Sequence, residues 1–354
     1  GRLDHYFSAR DTLYARYNFS HDRSLVPFNE GNTNLPGFGS FVINRGQNVV
    51  VSHTHAAGAS TVWEARLGFN RLRREVLQQN LGNDIGGRLG IPGLSRNPVD
   101  FGFPAVIVPG YDALSDNTAL PIIRRDNTWH LLGNVTQVRG AHTLKAGLEH
   151  RRFSADGVNN VFARGQFTFR PTFTQNAVAD LLLGLPSATL RTVIDNPMAL
   201  RATAFNGYVQ DDWKLSPRLS LNLGLRYELN RPPVDAHDRF TVFDLARRSL
   251  VPAGTQGMPR AGFSGDHNNF APRFGASWSA GKAVLHTGYG IFYDTTVVEA
   301  NSGLYFNPPY FELSLYFPSA QRLLTLRDPF PSGAGFKPPA SLQGIQRDYR
   351  TGYL

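Results

Sequence analysis

Apolar and polar residues alternate with period two in a series of separate stretches along this chain. The clearest case is residues 203–230, TAFNGYVQDDWKLSPRLSLNLGLRYELN. In its second half Leu219, Leu221, Leu223, Leu225, Tyr227 and Leu229 alternate with Ser220, Asn222, Gly224, Arg226 and Glu228. That period marks a strand with two unlike faces; on a helix the leucines would scatter around the cylinder. In the first half Phe205, Gly207, Val209, Asp211, Trp213 and Leu215 share one face, and Ala204, Asn206, Tyr208, Gln210, Asp212 and Lys214 the other. Ser216-Pro217-Arg218 stands between the halves, and proline pre-sets the φ of a tight turn. The stretch predicts a β-hairpin with arms of about 10 residues, against the usual ~5–6 and the roughly 9–11 that cross a bilayer at a tilt. Its leucine face either packs on a second sheet, as in a soluble carbohydrate-binding sandwich, or faces lipid.

The hairpin pattern recurs. Leu13, Ala15, Tyr17 and Phe19 alternate with Tyr14, Arg16, Asn18 and Ser20; residues 48–56 form another strand; Trp63, Ala65, Leu67 and Phe69 alternate with Glu64, Arg66, Gly68 and Asn70. Residues 129–138 and 143–153 pair around 139–141, and Phe274, Ala276 and Trp278 precede a run through Leu285, Thr287, Tyr289, Ile291 and Tyr293. Tight turns at 8–11, 57–60, 139–141, 216–218 and 279–282 alternate with long Gly-, Pro- and Asn-rich connections at 21–47, 75–127, 232–268 and 295–354. Such connections are too long for ordinary loops. Short turns on one rim and long loops on the other describe an outer-membrane barrel. A short helix is expected within 176–183, NAVADLLL, ended by Gly184 and Pro186.

Composition narrows the function. The 354 residues contain no cysteine, so there is no disulfide framework, thiolate metal site or cysteine nucleophile. The formal charge of +9 comes almost wholly from arginine, spread singly through strands. The nearest cluster is Arg71-Leu72-Arg73-Arg74 at a strand end, and the spread speaks against nucleic-acid binding. No apolar run is long enough for a transmembrane helix. His53 and His55 share a strand face, but two ligands are too few for a closed zinc site. Asp211 and Asp212 point to opposite faces and cannot act as an acid/base pair. No hydrolase, phosphate-loop or calcium-loop spacing occurs, so neither an enzyme, a cofactor nor a metal site is expected. Trp63, Trp129, Trp213 and Trp278 read as interfacial girdle residues rather than carbohydrate platforms. Arg16, Arg66, Arg226 and Arg273 are expected to pair with lumen carboxylates such as Glu64, Glu149 and Glu228, the alternative being selection of anionic cargo.

FNGYVQDDWKLSPRLSLNLGLRYE, NNFAPRFGASW, GKAVLHTGYGIFYD, ADLLLGLP, RGAHTLKAGLEHRRF and GRLGIPGL together resemble the barrel of TonB-dependent receptors of the Oar-like branch, over nearly the whole chain. The resemblance implies an antiparallel transmembrane barrel in a Gram-negative outer membrane. It also implies a TonB complex that acts through a plug, and transport or binding of a large substrate: oligosaccharide, peptide or protein. An adhesion or envelope-structure barrel without transport is the alternative. Residues 1–354 are expected to form part of one barrel domain, without the plug or the N-terminal regulatory-like domain. About a dozen strands of a ~22-strand design should leave two free edges, one at 3–7 or 13–19 and the other at or beyond 285–293. Tyr353-Leu354 reads as the approach to another strand.

Overall fold

The structure, a computed structural model, describes residues 1–28, 33–194, 197–294, 301–336 and 342–353. The chain begins with β1 (Arg2–Tyr6), β2 (Asp11–Val26), β3 (Ser40–Ala56) and β4 (Thr61–Gln78). A loop carrying β5 (Ala105–Ile107) leads to β6 (Ile122–Arg139) and β7 (His142–Asn159). A second loop carries β8 (Gln166–Thr168) and β9 (Ala188–Ile194), and then β10 (Met198–Ser216) and β11 (Leu219–Asn230) form the central hairpin. A third loop holds β12 (Val234–Asp235), β13 (Thr241–Asp244) and β14 (Ser249–Pro252); β15 (Phe270–Ala280), β16 (Ala283–Gly290) and β17 (Phe311–Tyr316) complete the series.

Among the described residues, ten strands make one antiparallel meander in the order β1-β2-β3-β4-β6-β7-β10-β11-β15-β16, with β12 added beside β10. The dozen strands expected from the pattern thus become ten in the wall. Consecutive hairpins share their direction, so all five tight turns lie on one rim. Gly140 and Gly281 take φ of 59° and 66° in two-residue turns, where a side chain would be strained. At the central turn the Ser216 hydroxyl accepts from the Arg218 and Leu219 N–H groups at 3.2 and 3.1 Å.

The strands outrun the apolar alternation. The connection expected over 21–47 is strand up to Val26 and again from Ser40, and the one over 75–127 is strand to Gln78 and from Ile122. Backbone pairing continues in register above the apolar belt, where His21, Arg45, Arg73 and Arg125 face outward in place of leucines. Pairing needs only extended backbone; the apolar pattern ends where lipid ends.

Register also separates the faces. Val209, Leu225 and Pro272 lie opposite one another on one face, as do Asp212, Asn222 and Gly275 on the other, three residues along. The apolar set carries Leu148, 74% exposed, with Val209, Leu225 and Tyr289 also exposed. Among the described residues no second sheet packs on it, so the sandwich reading fails. β1 and β16 pair on one side only among the described residues, which places the two free edges where the pattern put them.

The hydrophobic clusters sit in the loops. β17, β9, β8 and β5 form a four-stranded sheet, and Phe167, Phe169, Tyr316, Leu324 and Phe330 pack with it as one core. A second core gathers Phe240, Val242, Val251, Met258, Leu304 and Tyr305 around the β13–β14 hairpin. The long connections are therefore a folded cap. The expected helix is α2 (Ala177–Leu182), and the side chain of its N-cap Asn176 accepts from the Val178 and Ala179 N–H groups. α1 (Ile85–Arg88) was not anticipated. Tyr353 bridges to Tyr293; Leu354 and Thr295, at the ends of the last expected connection, lie outside the described residues.

Candidate functional site

The polar wall face holds a connected set of charges, because alternate residues on neighbouring strands stand directly across from each other. Arg226 joins two carboxylates: its Nε donates to Glu228 at 2.7 Å and its Nη2 to Glu149 at 3.2 Å. Glu149 also accepts from the Asn206 amide at 3.3 Å. Arg151 Nε and His130 Nε2 approach it to 3.0 and 2.9 Å; these two are close contacts without hydrogen-bond alignment. Glu64 pairs with Arg66 and accepts from Ser52 and Asn134 at 3.2 and 3.3 Å. Nearer the turns, Asp212 takes Lys145 at 2.8 Å, Gln210 at 3.0 Å and Asn222. The Tyr208 ring lies over Gly147, and its hydroxyl donates to Asn134 at 3.1 Å.

The expected arginine–carboxylate pairing holds for Arg66 and Arg226 and fails for Arg16 and Arg273. Among the described residues Arg16 reaches Asn18 alone, at 3.3 Å, and Arg273 lies 4.5 Å from the Phe292 ring centre with no carboxylate partner. Both sit one strand in from a free edge, so each lacks the far neighbours that surround the central residues. Arg2, Arg16, Arg66 and His130 line a polar hollow of about 380 Å³ beside Gly68.

On the outer face, near the turn rim, His53 Nε2 and His55 Nδ1 both reach Asp11 Oδ1, at 3.3 and 2.7 Å. Sequence reading missed Asp11 as their partner, since only the β2–β3 register brings it opposite His55. Among the described residues no group of three or more potential ligands is arranged to hold a metal. Asp211 and Asp212 do take opposite faces: Asp211 pairs outward with His142 at 2.7 Å, while Asp212 serves the polar face. Trp63 and Trp278 stand on the outer face near the turn rim and Trp129 toward the loop rim, each about half exposed; Trp213 stacks on His142.

Buried polar groups tie the cap together. Asp180 accepts from the Thr172, Phe173 and Thr174 N–H groups at 2.9, 3.0 and 2.9 Å and from the Thr174 hydroxyl at 2.7 Å. Burial alone would raise its pKa, but these donors more than offset that and hold it below the usual carboxylate range. Asp235 accepts from the Tyr305 hydroxyl at 2.5 Å and from the Ala199, His237 and Arg239 N–H groups. Burial, then this bond, pushes the Tyr305 phenol far up, so it stays protonated. Arg164 donates to the carbonyls of Leu120, Asn117 and Asp100. Burial lowers its pKa and raises that of Asp116 nearby.

A sheet with an exposed apolar outer face, a charged inner face and a folded cap on one rim is the wall of an outer-membrane β-barrel. The outer membrane beta barrel domain family matches residues 1–354, and the chain belongs to it. No curated protein matches the chain in sequence. Among solved structures, the fold is similar to the outer membrane transporter YddB from Escherichia coli, with TM-score 0.52 and 12% identity over 88% of this chain and 33% of that one. A mutant form of the ferric enterobactin receptor PfeA from Pseudomonas aeruginosa is also similar, with TM-score 0.47 and 14% identity over 90% of this chain and 40% of its own. The chain thus spans about a third of the YddB transporter's length.

Proposed function

We propose that this chain is part of the barrel of a TonB-dependent outer-membrane receptor that binds or moves a large substrate. The observation that carries the reading is the wide wall open at both edges, with a charged inner face built around Arg226, Glu149 and Glu228. Free strand edges are not tolerated in lipid, so further strands of the parent protein complete the circumference. A plug fills the lumen, and the residues on the inner face meet it. The cap meets the substrate first, because loops positioned on a rigid scaffold carry recognition.

The test uses the full-length protein in detergent with the purified periplasmic domain of TonB. Saturable binding supports the reading. A complete reading frame without a plug, together with no TonB binding, removes it and leaves the surface-adhesion alternative.

A further inference from the structure

Cross-strand register brings three arginines together on the outer wall. Arg45 on β3 stands opposite Arg73 on β4, and Arg73 stands opposite Arg125 on β6. Like charges directly opposite one another destabilise a sheet, so this row needs an anion. The chain supplies little. Arg73 is bound by Glu75 one step along the strand. Arg45 lies 5.4 Å from the Phe19 ring centre and makes no ion pair, and Arg125 makes none either among the described residues. Asp156, opposite Arg125, is taken by Arg201 at 2.7 Å. Arg71 and Arg23 extend the patch, Arg71 held by Asn127 at 2.7 Å and Arg23 stacked on Phe41.

The position of the row selects the anion. The next outward residues toward the turn rim are Gln47, Arg71 and Asn127, followed by Val49, Phe69 and Trp129. The Phe69 and Trp129 rings lie 4.6 Å apart, tilted at 43°, and Trp129 is half exposed, as at a lipid interface. From these aromatics to Arg73 and Arg125 is four residues, roughly 14 Å along a strand, or about 10 Å in height at a ~45° tilt. The row therefore lies above the acyl boundary on the loop side, at headgroup level, and faces away from the lumen.

We propose that Arg45, Arg73 and Arg125 form a docking surface for the phosphate groups of an anionic glycolipid in the outer leaflet. The planar guanidinium matches phosphate bidentately and is weakly hydrated enough to do so at a membrane surface. One phosphate between neighbouring arginines removes the repulsion within the row. The lipid seated there covers the Phe69–Trp129 pair with its acyl chains. This surface is separate from the inner face, so it stands whether or not the proposed transport does.

The test measures binding of lipid A carrying both phosphates to the full-length protein in detergent, beside the fully dephosphorylated lipid. Replacing all three arginines by glutamine is expected to weaken binding roughly 100-fold, at about fivefold per surface arginine. Arg74→Gln, on the opposite face of β4, should leave it unchanged. Inorganic phosphate should not compete at millimolar concentration. Equal binding of the two lipids, unchanged binding by the triple variant, or full competition by phosphate would each overturn the proposal. Should the triple variant fail to fold, the two-lipid comparison on the unaltered protein decides alone.

Discussion

Leu225→Arg offers the sharpest test of which face meets lipid. β11 carries its outward residues from Leu219 to Leu229. Ten residues cover roughly 34 Å of strand, or about 24 Å of height at a ~45° tilt, close to the ~25 Å apolar band of such barrels. Leu225 lies near the middle of that band, is 44% exposed, and faces Val209 and Pro272 across the two neighbouring ladders. The nearest outward carboxylate, Asp211, lies diagonally across the ladder and is already held by His142, so an arginine there should cost ~2–4 kcal/mol, a shift of roughly 30- to 700-fold in the folding equilibrium. Asn222→Arg places the same side chain opposite Asp212 and Gly275. There it has a carboxylate and space, and should cost less than about 1 kcal/mol. Reversible urea unfolding of the full-length protein in phospholipid, followed by tryptophan fluorescence, measures both. Equal costs at the two positions would refute the assignment of faces.

Three further outcomes are expected. Asp180→Asn should raise hydrogen exchange at Thr172, Phe173 and Thr174; because the carboxylate pKa is lowered in the fold, its contribution is full above the unfolded value near ~3.9 and fades as pH falls through the folded one. The two proteins should therefore differ at neutral pH and converge in strong acid. Gly157→Ala should destabilise the β6–β7 hairpin by about 1–3 kcal/mol in thermal unfolding, since the added Cβ would overlap the Ile123 carbonyl oxygen, a backbone atom that cannot swing aside. Tyr305→Phe removes the hydroxyl that donates to Asp235 and accepts from Ala199, and should cost the cap about 1.5–3 kcal/mol, read as faster proteolysis in the loops with the wall intact.

Period-two alternation is a local property, and it carried the hairpins, the five tight turns and the two faces of 219–229 straight from sequence to structure; the free edges were expected from the resemblance to a larger barrel. The α2 helix was legible for the same reason, because Asn176 and Gly184 punctuate it within one short segment. The upper thirds of the strands were not legible: Arg45, Arg73 and Arg125 keep the backbone ladder but break the apolar pattern. The cap was hidden because its cores join distant segments, as where Phe167 meets Phe330 and Phe240 meets Tyr305. Partner choice was hidden too. Which carboxylate Arg226 reaches, why Arg16 and Arg273 reach none, and how Asp11 meets two histidines all depend on which strands lie side by side and in what register. Alternation decides which face a side chain takes, because that is set by its own backbone. What the side chain meets there is set by strands tens of residues away, and only the assembled sheet brings those together.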